Sequence, residues 1–464
     1  MRAGLITLIL LFGVYPALAQ EGIDLPQAIN YALSQNKELV RTALTVDLGQ
    51  LREAHASVEF DTNIRPDVMT SFSGGQDFLR YGPRISKKLE GGTVLNMSAG
   101  VVTDFTQGNV HNRGSMRFQI EQPIFRNLGS LIHREPLLQA ASGVKTARRK
   151  YELRKADLVL EVVKTYENIL RLQQQVRADQ ASFKRNHALY RVTKAKEGLG
   201  KTTRVDTLRV ELLRGQAKVR LEASQERLAW AQKDFAELLG FPPDKVFDLQ
   251  ASPVLELQLL QPSDAVKTAL ANRLDYAQVF QDHHDAVRAV HIADRMLLPD
   301  VRVTASYDDF ATSPTSFGAI PLDRKLWFFG LSSPTDFNLG RERIALDQAR
   351  VSQRSALQAI EIIERTIARQ ALQQTEVYRR AQADLGFAKQ NFALTEARMK
   401  LAKQRFTIGR GDNFTVTDAE TAFLEAERVL LAAQADASIA GYELTRTLGT
   451  IVEVPEELKP LRAR

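Results

Sequence analysis

Residues able to bind a metal or move a proton are scattered along this chain. His283, His284 and His291 form the densest group, and His284 and His291 share a helix face seven residues apart. A helical metal pair wants histidines four apart with further ligands nearby, so these read as surface histidines. There is no cysteine, which removes thiolate metal sites, cysteine nucleophiles, a disulfide framework and a lipid-bearing cysteine. Arg410-Gly411-Asp412 and Asn413-Phe414-Thr415 spell an adhesion tripeptide and a glycosylation acceptor, but both lie where the chain must reverse, and turn chemistry explains Gly, Asp and Asn there. No nucleophile elbow, phosphate loop, dinucleotide fingerprint or zinc-protease motif is found, and charged residues follow helix faces instead of converging on one place. No catalytic residue, cofactor or metal is expected.

The elements matter more than any one side chain, because the chain is written nearly twice. Asn127-Leu128-Gly129 and Asn338-Leu339-Gly340, Gly198-x-Gly200 and Gly409-x-Gly411, and Val205 and Val416 are all 211 positions apart. Ala28-x3-Ala32-Leu33 returns as Ala265-x3-Ala269-Leu270, Pro66-Asp67-Val68 as Pro299-Asp300-Val301, and Leu239-Gly240 as Leu448-Gly449. A two-fold repeat of this size decides architecture before local propensities do. The spacing predicts a first repeat over 20–250 and a second over 251–464, interlocked because no flexible linker separates them.

Each repeat predicts a leading helix (26–63 and 262–298), a long helix (131–196 and 341–407) and a return helix (202–240 and 415–449). In the long helices Val162, Ile169, Val176, Phe183 and Tyr190, then Ala371, Tyr378, Leu385, Phe392, Met399 and Phe406, recur every seven residues. Such spacing keeps one seam against a partner helix, as in a coiled coil. A helix of that length runs to about 100 Å at about 1.5 Å per residue. The return helices are half as long, so one leading and one return helix are expected to meet end to end beside each long helix, since a lone short helix leaves half the seam in water.

Between leading and long helices the period becomes two. Leu95, Met97, Ala99 and Val101, then Met116, Phe118 and Ile120, alternate with polar residues; Val301, Val303, Ala305 and Tyr307 do the same, and Trp327, Phe329 and Leu331 form a weaker fourth strand. Strands are thus predicted within about 94–122 and 300–333. One apolar face suits a sheet between lipid and water, or equally a sheet packed on a soluble core; the export signal and helical rods favour a barrel. Four strands cannot close one, so copies must share it, eight strands from two or twelve from three, and only the wider barrel leaves a usable channel. Residues 72–90 fit either a surface loop or a longer strand.

Residues 1–19 read as an export signal: Arg2, an apolar stretch from Leu5 to Val14, and Ala17-Leu18-Ala19 before Gln20. No later stretch reaches the roughly 18 apolar residues of a membrane helix. The net charge of +7 comes from Lys and Arg interleaved with Asp and Glu along helices, which is a solvated face and not a nucleic-acid footprint.

The ordered set of an export signal, Leu25-Pro-Gln-Ala28-x3-Ala32-Leu33-x2-Asn36, a Pro-Asp-Val strand entry, Gln122-Pro123-Ile124-Phe125 before Asn-Leu-Gly, Gly-x-Gly reversals and terminal Leu-Gly pairs resembles the TolC family of outer-membrane efflux and secretion channels. The resemblance implies a fold mainly α with a β-barrel part: a homotrimer with a periplasmic α-barrel and a 12-stranded barrel in outer-membrane lipid, four strands from each chain. It implies docking of a periplasmic adaptor, serving an inner-membrane transporter, on tips that fall here on Gly198, Leu199, Gly200 and Lys201 and on Ile408, Gly409, Arg410 and Gly411. It also implies a periplasmic aperture at Phe406, where the family has tyrosine, and at Thr415 and Asp418, where it has two aspartates. The alternative is an exported coiled-coil tether or adhesin, which would not need aromatic side chains near the strand ends.

Overall fold

The computed structural model describes residues 22–71, 77–106, 109–200, 203–250, 255, 257–258, 260–335, 338–407 and 413–460. The export signal at 1–19 lies outside them, as do Lys201, Ile408, Gly409, Arg410 and Gly411. The first repeat holds β1 (Gly22–Ile23), α1 (Leu25–Gln35), α2 (Lys37–Ser57), β2 (Asn63–Ser71), β3 (Asp77–Lys88), β4 (Val94–Thr106), β5 (Asn109–Pro123), α3 (Ser130–His133), α4 (Glu135–Gly198) and α5 (Arg204–Leu238). The second holds β6 (Asp248–Leu249), α6 (Pro262–Asn272), α7 (Leu274–Arg295), β7 (Arg302–Ser313), β8 (Arg324–Ser332), α8 (Gly340–Thr407) and α9 (Asn413–Leu448). Two compact units form, and each draws chain from both repeats: residues up to 41, 152–272 and 368–453 make one, and 42–151, 273–367 and 454 onward the other.

The first unit is helical. Its core lies on the predicted seam, where Val162, Ile169, Ala371, Tyr378, Leu385, Phe235, Ala437 and Leu444 are all buried. Ion pairs flank that seam: Lys164 meets Glu443 at 2.6 Å and Arg446 meets Asp157 at 2.7 Å, both between α4 and α9.

The leading helices are each broken once, where the periodicity predicts a continuous helix. Asn36 and Arg273 both take extended backbone angles (φ −62°, ψ 120° and φ −72°, ψ 124°). Asn36 shows why the break is stable. Its side-chain carbonyl accepts from the backbone N–H groups of Glu38 and Leu39, both at 3.0 Å, while its amide donates to the carbonyl of Leu238 at 2.9 Å. One side chain therefore caps the start of α2 and the end of α5, whose terminal groups have no partner within their own helices. The return helix is thereby brought to the leading one. Gly240 continues from that junction at φ +85°, where a Cβ would lie 2.5 Å from the carbonyl oxygen of Gln35; Gly449, at φ +75°, packs as closely on Asn272. The repeated Leu-Gly pairs are thus two helix ends that need a left-handed residue with no side chain.

The long helix of the first repeat starts at Glu135 and not at 131. Pro136 has no N–H to donate one turn back and disfavours helical angles for the residue before it, so α3 ends after four residues and α4 begins with proline in its first turn. The other long and return helices end within two residues of their predicted bounds.

The second unit holds a single antiparallel sheet in the order β2-β3-β4-β5-β7-β8. It has six described strands where alternation predicts four. β2 and β3 were hidden because the leading helix ends early, at Ser57 with one 3-10 turn to Phe60, and because Pro66 and Pro83 interrupt both strands. Those prolines face each other in register, a position where neither N–H is needed by the other strand. Most of 72–90 is therefore strand β3; residues 72–76 are outside the described set.

Replacing Asn36 by Ala removes both caps and is expected to cost about 1–3 kcal/mol. Asn36→Asp keeps the acceptor but turns a carboxylate toward the Leu238 carbonyl, so it should destabilise as well. Melting followed by circular dichroism is the check; an Asn36→Ala protein that melts with the parent would refute the double cap.

Candidate functional site

The sheet sorts its side chains into two unlike faces. Ile64, Ile85, Met97, Phe118, Tyr307 and Trp327 stand opposite one another in a single row crossing all six strands. The next rows on that face add Leu95, Ile120, Ala305 and Phe329, then Val303 and Leu331. Trp327 stacks on Phe329 at 6.5 Å and meets Tyr307 at 4.8 Å. Phe329 is 74% and Leu331 72% exposed. Lys87, opposite Leu95 on β4, and Asp309 and Lys325, opposed across β7 and β8, are charged exceptions on this face.

The other face is polar. Arg65, Arg84, Ser98, Arg117 and Asp308 share one row, which ends at β8 in Leu326. Arg84 pairs with Asp67 at 2.8 Å, and Arg117 with Asp308. A concavity of about 450 Å³ opens on this side and takes side chains from every strand, from Asp67 on β2 to Leu326 on β8. Six strands at about 4.8 Å spacing span roughly 24 Å when flat. Only a sheet curled toward its polar face brings them round one hollow.

In the helical unit, two tyrosines that the heptad reading either missed or took for simple seam residues clamp the connecting segments. Tyr166 on α4 is fully buried, with its hydroxyl 2.9 Å from the Ile23 carbonyl and 2.5 Å from that of Gln250, so it ties together the parallel pair β1 and β6. Burial pushes its pKa up to about 12, helped by the nearby carboxylates of Glu167 and Asp24. Tyr378 on α8 takes the matching place: it accepts from the Leu257 N–H at 2.8 Å and donates to the Leu257 carbonyl at 3.3 Å. The signal was present in the sequence as two tyrosines 212 positions apart, next to the 211 offset.

At the first reversal α4 ends on Gly198, Leu199 is 71% exposed, and Gly200 turns at φ +69°. Thr203 caps α5 in a reciprocal box with Asp206. At the second, Phe406 lies in the last turn of α8, Thr415 is exposed near the start of α9, and Asp418 sits one turn further on. Asp418 is paired with Arg398 of α8 at 2.6 Å, and both side chains are about half exposed. Spacing along one helix could not have found that cation, because it comes from the opposite arm of the reversal. Phe392 and Phe423 meet 5.3 Å apart between the same two arms.

Both arms keep apolar stripes in water. On α5 Val205, Leu208, Leu212 and Val219 are exposed on one face, and on α8 Phe387, Leu394 and Leu401 recur every seven residues. No helix among the described residues is long and apolar enough to cross a membrane, and no metal-binding cluster is found among them.

A helical unit with coiled-coil seams and a curled sheet with one apolar face is also the fold of solved outer-membrane channels. Residues 265–450 match the family model of the outer membrane efflux proteins. The outer-membrane channel OprN shares 16% identity with a TM-score of 0.67, over 92% of this chain and 89% of that one. The outer membrane protein VceC from Vibrio cholerae gives 15% and 0.66, over 92% and 96%. The MtrE outer membrane channel of Neisseria gonorrhoeae, in its open state, gives 19% and 0.64, over 92% and 89%. These likenesses establish the fold. No curated protein matches the sequence.

The Tyr166 clamp predicts an alkaline limit. A phenol whose folded pKa lies above its ordinary value of 10 contributes stability that is whole below pH 10 and is lost as the pH rises through about 12. Tyr166→Phe takes the hydroxyl donor from the Gln250 carbonyl and leaves the Ile23 carbonyl only the Gln250 N–H, at a cost of about 1–3 kcal/mol at neutral pH, and should flatten the loss above pH 10. Denaturation midpoints from pH 8 to 12 test both; identical pH profiles for the two proteins would remove the clamp.

Proposed function

We propose that this chain is the outer-membrane exit duct of a tripartite efflux or type I secretion system, working as a homotrimer. The single observation that carries the reading is the curled sheet with an apolar outer face, a polar hollow and two open edges. Open edges cannot sit in lipid, because each unpaired backbone group there costs several kcal/mol. Copies of the chain close the ring edge to edge, with their apolar faces in outer-membrane lipid. The exposed stripes on α5 and α8 are then covered by helices of neighbouring copies, which gives the second coiled-coil contact those stripes need.

A periplasmic adaptor, itself serving an inner-membrane transporter, docks on the reversals: Gly198, Leu199, Gly200 and Lys201 in one repeat, Ile408, Gly409, Arg410 and Gly411 in the other. Phe406, Thr415 and Asp418 line the periplasmic aperture. The Arg398 partner tempers the carboxylate there, so the aperture attracts cations less than a bare acidic ring would. Conduction is passive, energy comes from the partners, and opening is a shift of the helix arms at the tips.

Protein extracted from outer membranes and placed in planar bilayers should conduct in discrete steps; inserted protein without conductance would sink the duct reading. Arg398→Gln should strengthen the preference for potassium over chloride and Asp418→Asn should weaken it. Unchanged reversal potentials in both variants would remove Asp418 from the aperture. Leu199→Asp should abolish substrate export from cells while single-channel conductance persists, because it changes the docking tip and not the conduit.

A further inference from the structure

Between the Pro-Asp-Val and Asn-Leu-Gly anchors the first repeat carries 22 more residues than the second. In the second repeat the interval holds one hairpin, β7 and β8; in the first it holds two, β2 to β5. The surplus could have been a flap outside the sheet. Its side chains say otherwise: Leu79, Tyr81, Pro83 and Ile85 of β3 and Leu95, Met97, Ala99 and Val101 of β4 continue the apolar face without a break in register. Every strand has at least nine residues, and β3 and β4 have 12 and 13. About nine to eleven suffice for a tilted strand to cross a bilayer.

The open edges also match. β2 and β8 have nine residues each. Five successive antiparallel junctions leave them running in opposite directions, so β8 of one copy meets β2 of the next in the same antiparallel sense as every other junction. An inserted hairpin adds two strands and preserves this parity; an inserted single strand would not.

The polar face adds a charge argument. Arg80 and Arg113 lie in one row, joined through Val102, and Arg324 lies in the next row toward the helices. None of the three has a carboxylate partner among the described residues. Arg80 donates to the sulfur of Met69, with its Nε buried and unpaired, and Arg324 stands over the Phe310 ring. The neighbouring Arg84 and Arg117 are already neutralised by Asp67 and Asp308; Asp104, in the row beyond Arg80 and Arg113, sets one carboxylate against the three arginines, so the surplus is cationic and sits in the half of the sheet away from the helices.

We propose that all six strands are barrel staves, so that three copies close an eighteen-stranded barrel whose arginine-lined mouth admits anionic polymers. This rests on the homotrimeric duct above and deepens it. Since diameter grows roughly linearly with strand number, the exit is about 1.5 times as wide as a twelve-stranded one. Nine guanidinium groups around one axis, three from each copy, outnumber the three Asp104 carboxylates and raise the local concentration of polyanions at that mouth.

Cryo-electron microscopy of the detergent-purified full chain tests the staves. Three-fold particles with eighteen strands in the ring support the proposal. Three-fold particles with twelve strands, and 77–106 lying outside the wall, overturn it while leaving the duct intact; particles without a closed three-fold ring overturn the trimer itself. Dextran sulfate added from the mouth side of a planar bilayer tests the charge. It should block the channel at lower concentration than polylysine of similar mass, and a combined Arg80→Gln, Arg113→Gln and Arg324→Gln protein should need at least about tenfold more of it, a change in affinity of about 1.4 kcal/mol. Equal block by both polymers, or an unchanged half-blocking concentration in the variant, overturns the anionic assignment.

Discussion

A backbone amide or carbonyl cannot be left unpaired in hydrocarbon, and the duct proposed above makes that the constraint on which the sheet depends. Among the described residues of the six-stranded sheet, β3, β4, β5 and β7 are paired on both sides and β2 and β8 on one. If the apolar face lies in lipid, as proposed above, those two edges need partners in other copies. The alternation of the strands follows from the same requirement. Apolar rows meet lipid, polar rows meet a hollow, and the sheet curls toward the side where Arg84, Arg117, Asp67 and Asp308 neutralise one another.

The helical unit obeys a different constraint, since its apolar seam is buried by helix packing alone. Its seam is buried by pairing long helices with shorter ones, and shorter helices leave ends. Asn36 satisfies two of those ends with one amide, and Gly240 and Gly449 allow the approach that the junctions require. Tyr166 and Tyr378 do the equivalent work for the connecting segments, by tying backbone carbonyls to the long helices. In both devices a single polar side chain offsets the desolvation of backbone groups that no regular element pairs.

At the reversals the chain trades burial for exposure. The seam residues that are fully buried around Ile169 and Leu385 give way to half-buried ones toward Tyr190 and Met399, and apolar stripes there face water. Such surfaces suit contacts that form between chains. The Arg398 and Asp418 pair lies in the same region, holding the two arms of one reversal together while muting the charge of the acid.

Much of this was legible in the sequence because repeats and periods are local arithmetic. The 211-residue offset, the seven-residue seams and the two-residue alternation determined the order of elements, the long and return helices, and which face of β4, β5 and β7 is apolar. Asn36 and the Leu-Gly pairs stood out as recurring features, but their meaning did not, because a cap that joins Asn36 to Leu238 spans two hundred residues. β2 and β3 escaped alternation because prolines and charged residues break the pattern, and only pairing with β4 shows that they belong to the sheet. Arg398 escaped for the same reason as Arg80 and Arg113: a charge is paired or unpaired only with respect to neighbours in space. Period and propensity act within a few residues and could be read directly; pairing, capping and the sign of a surface depend on contacts between distant segments, and those the tertiary structure decided.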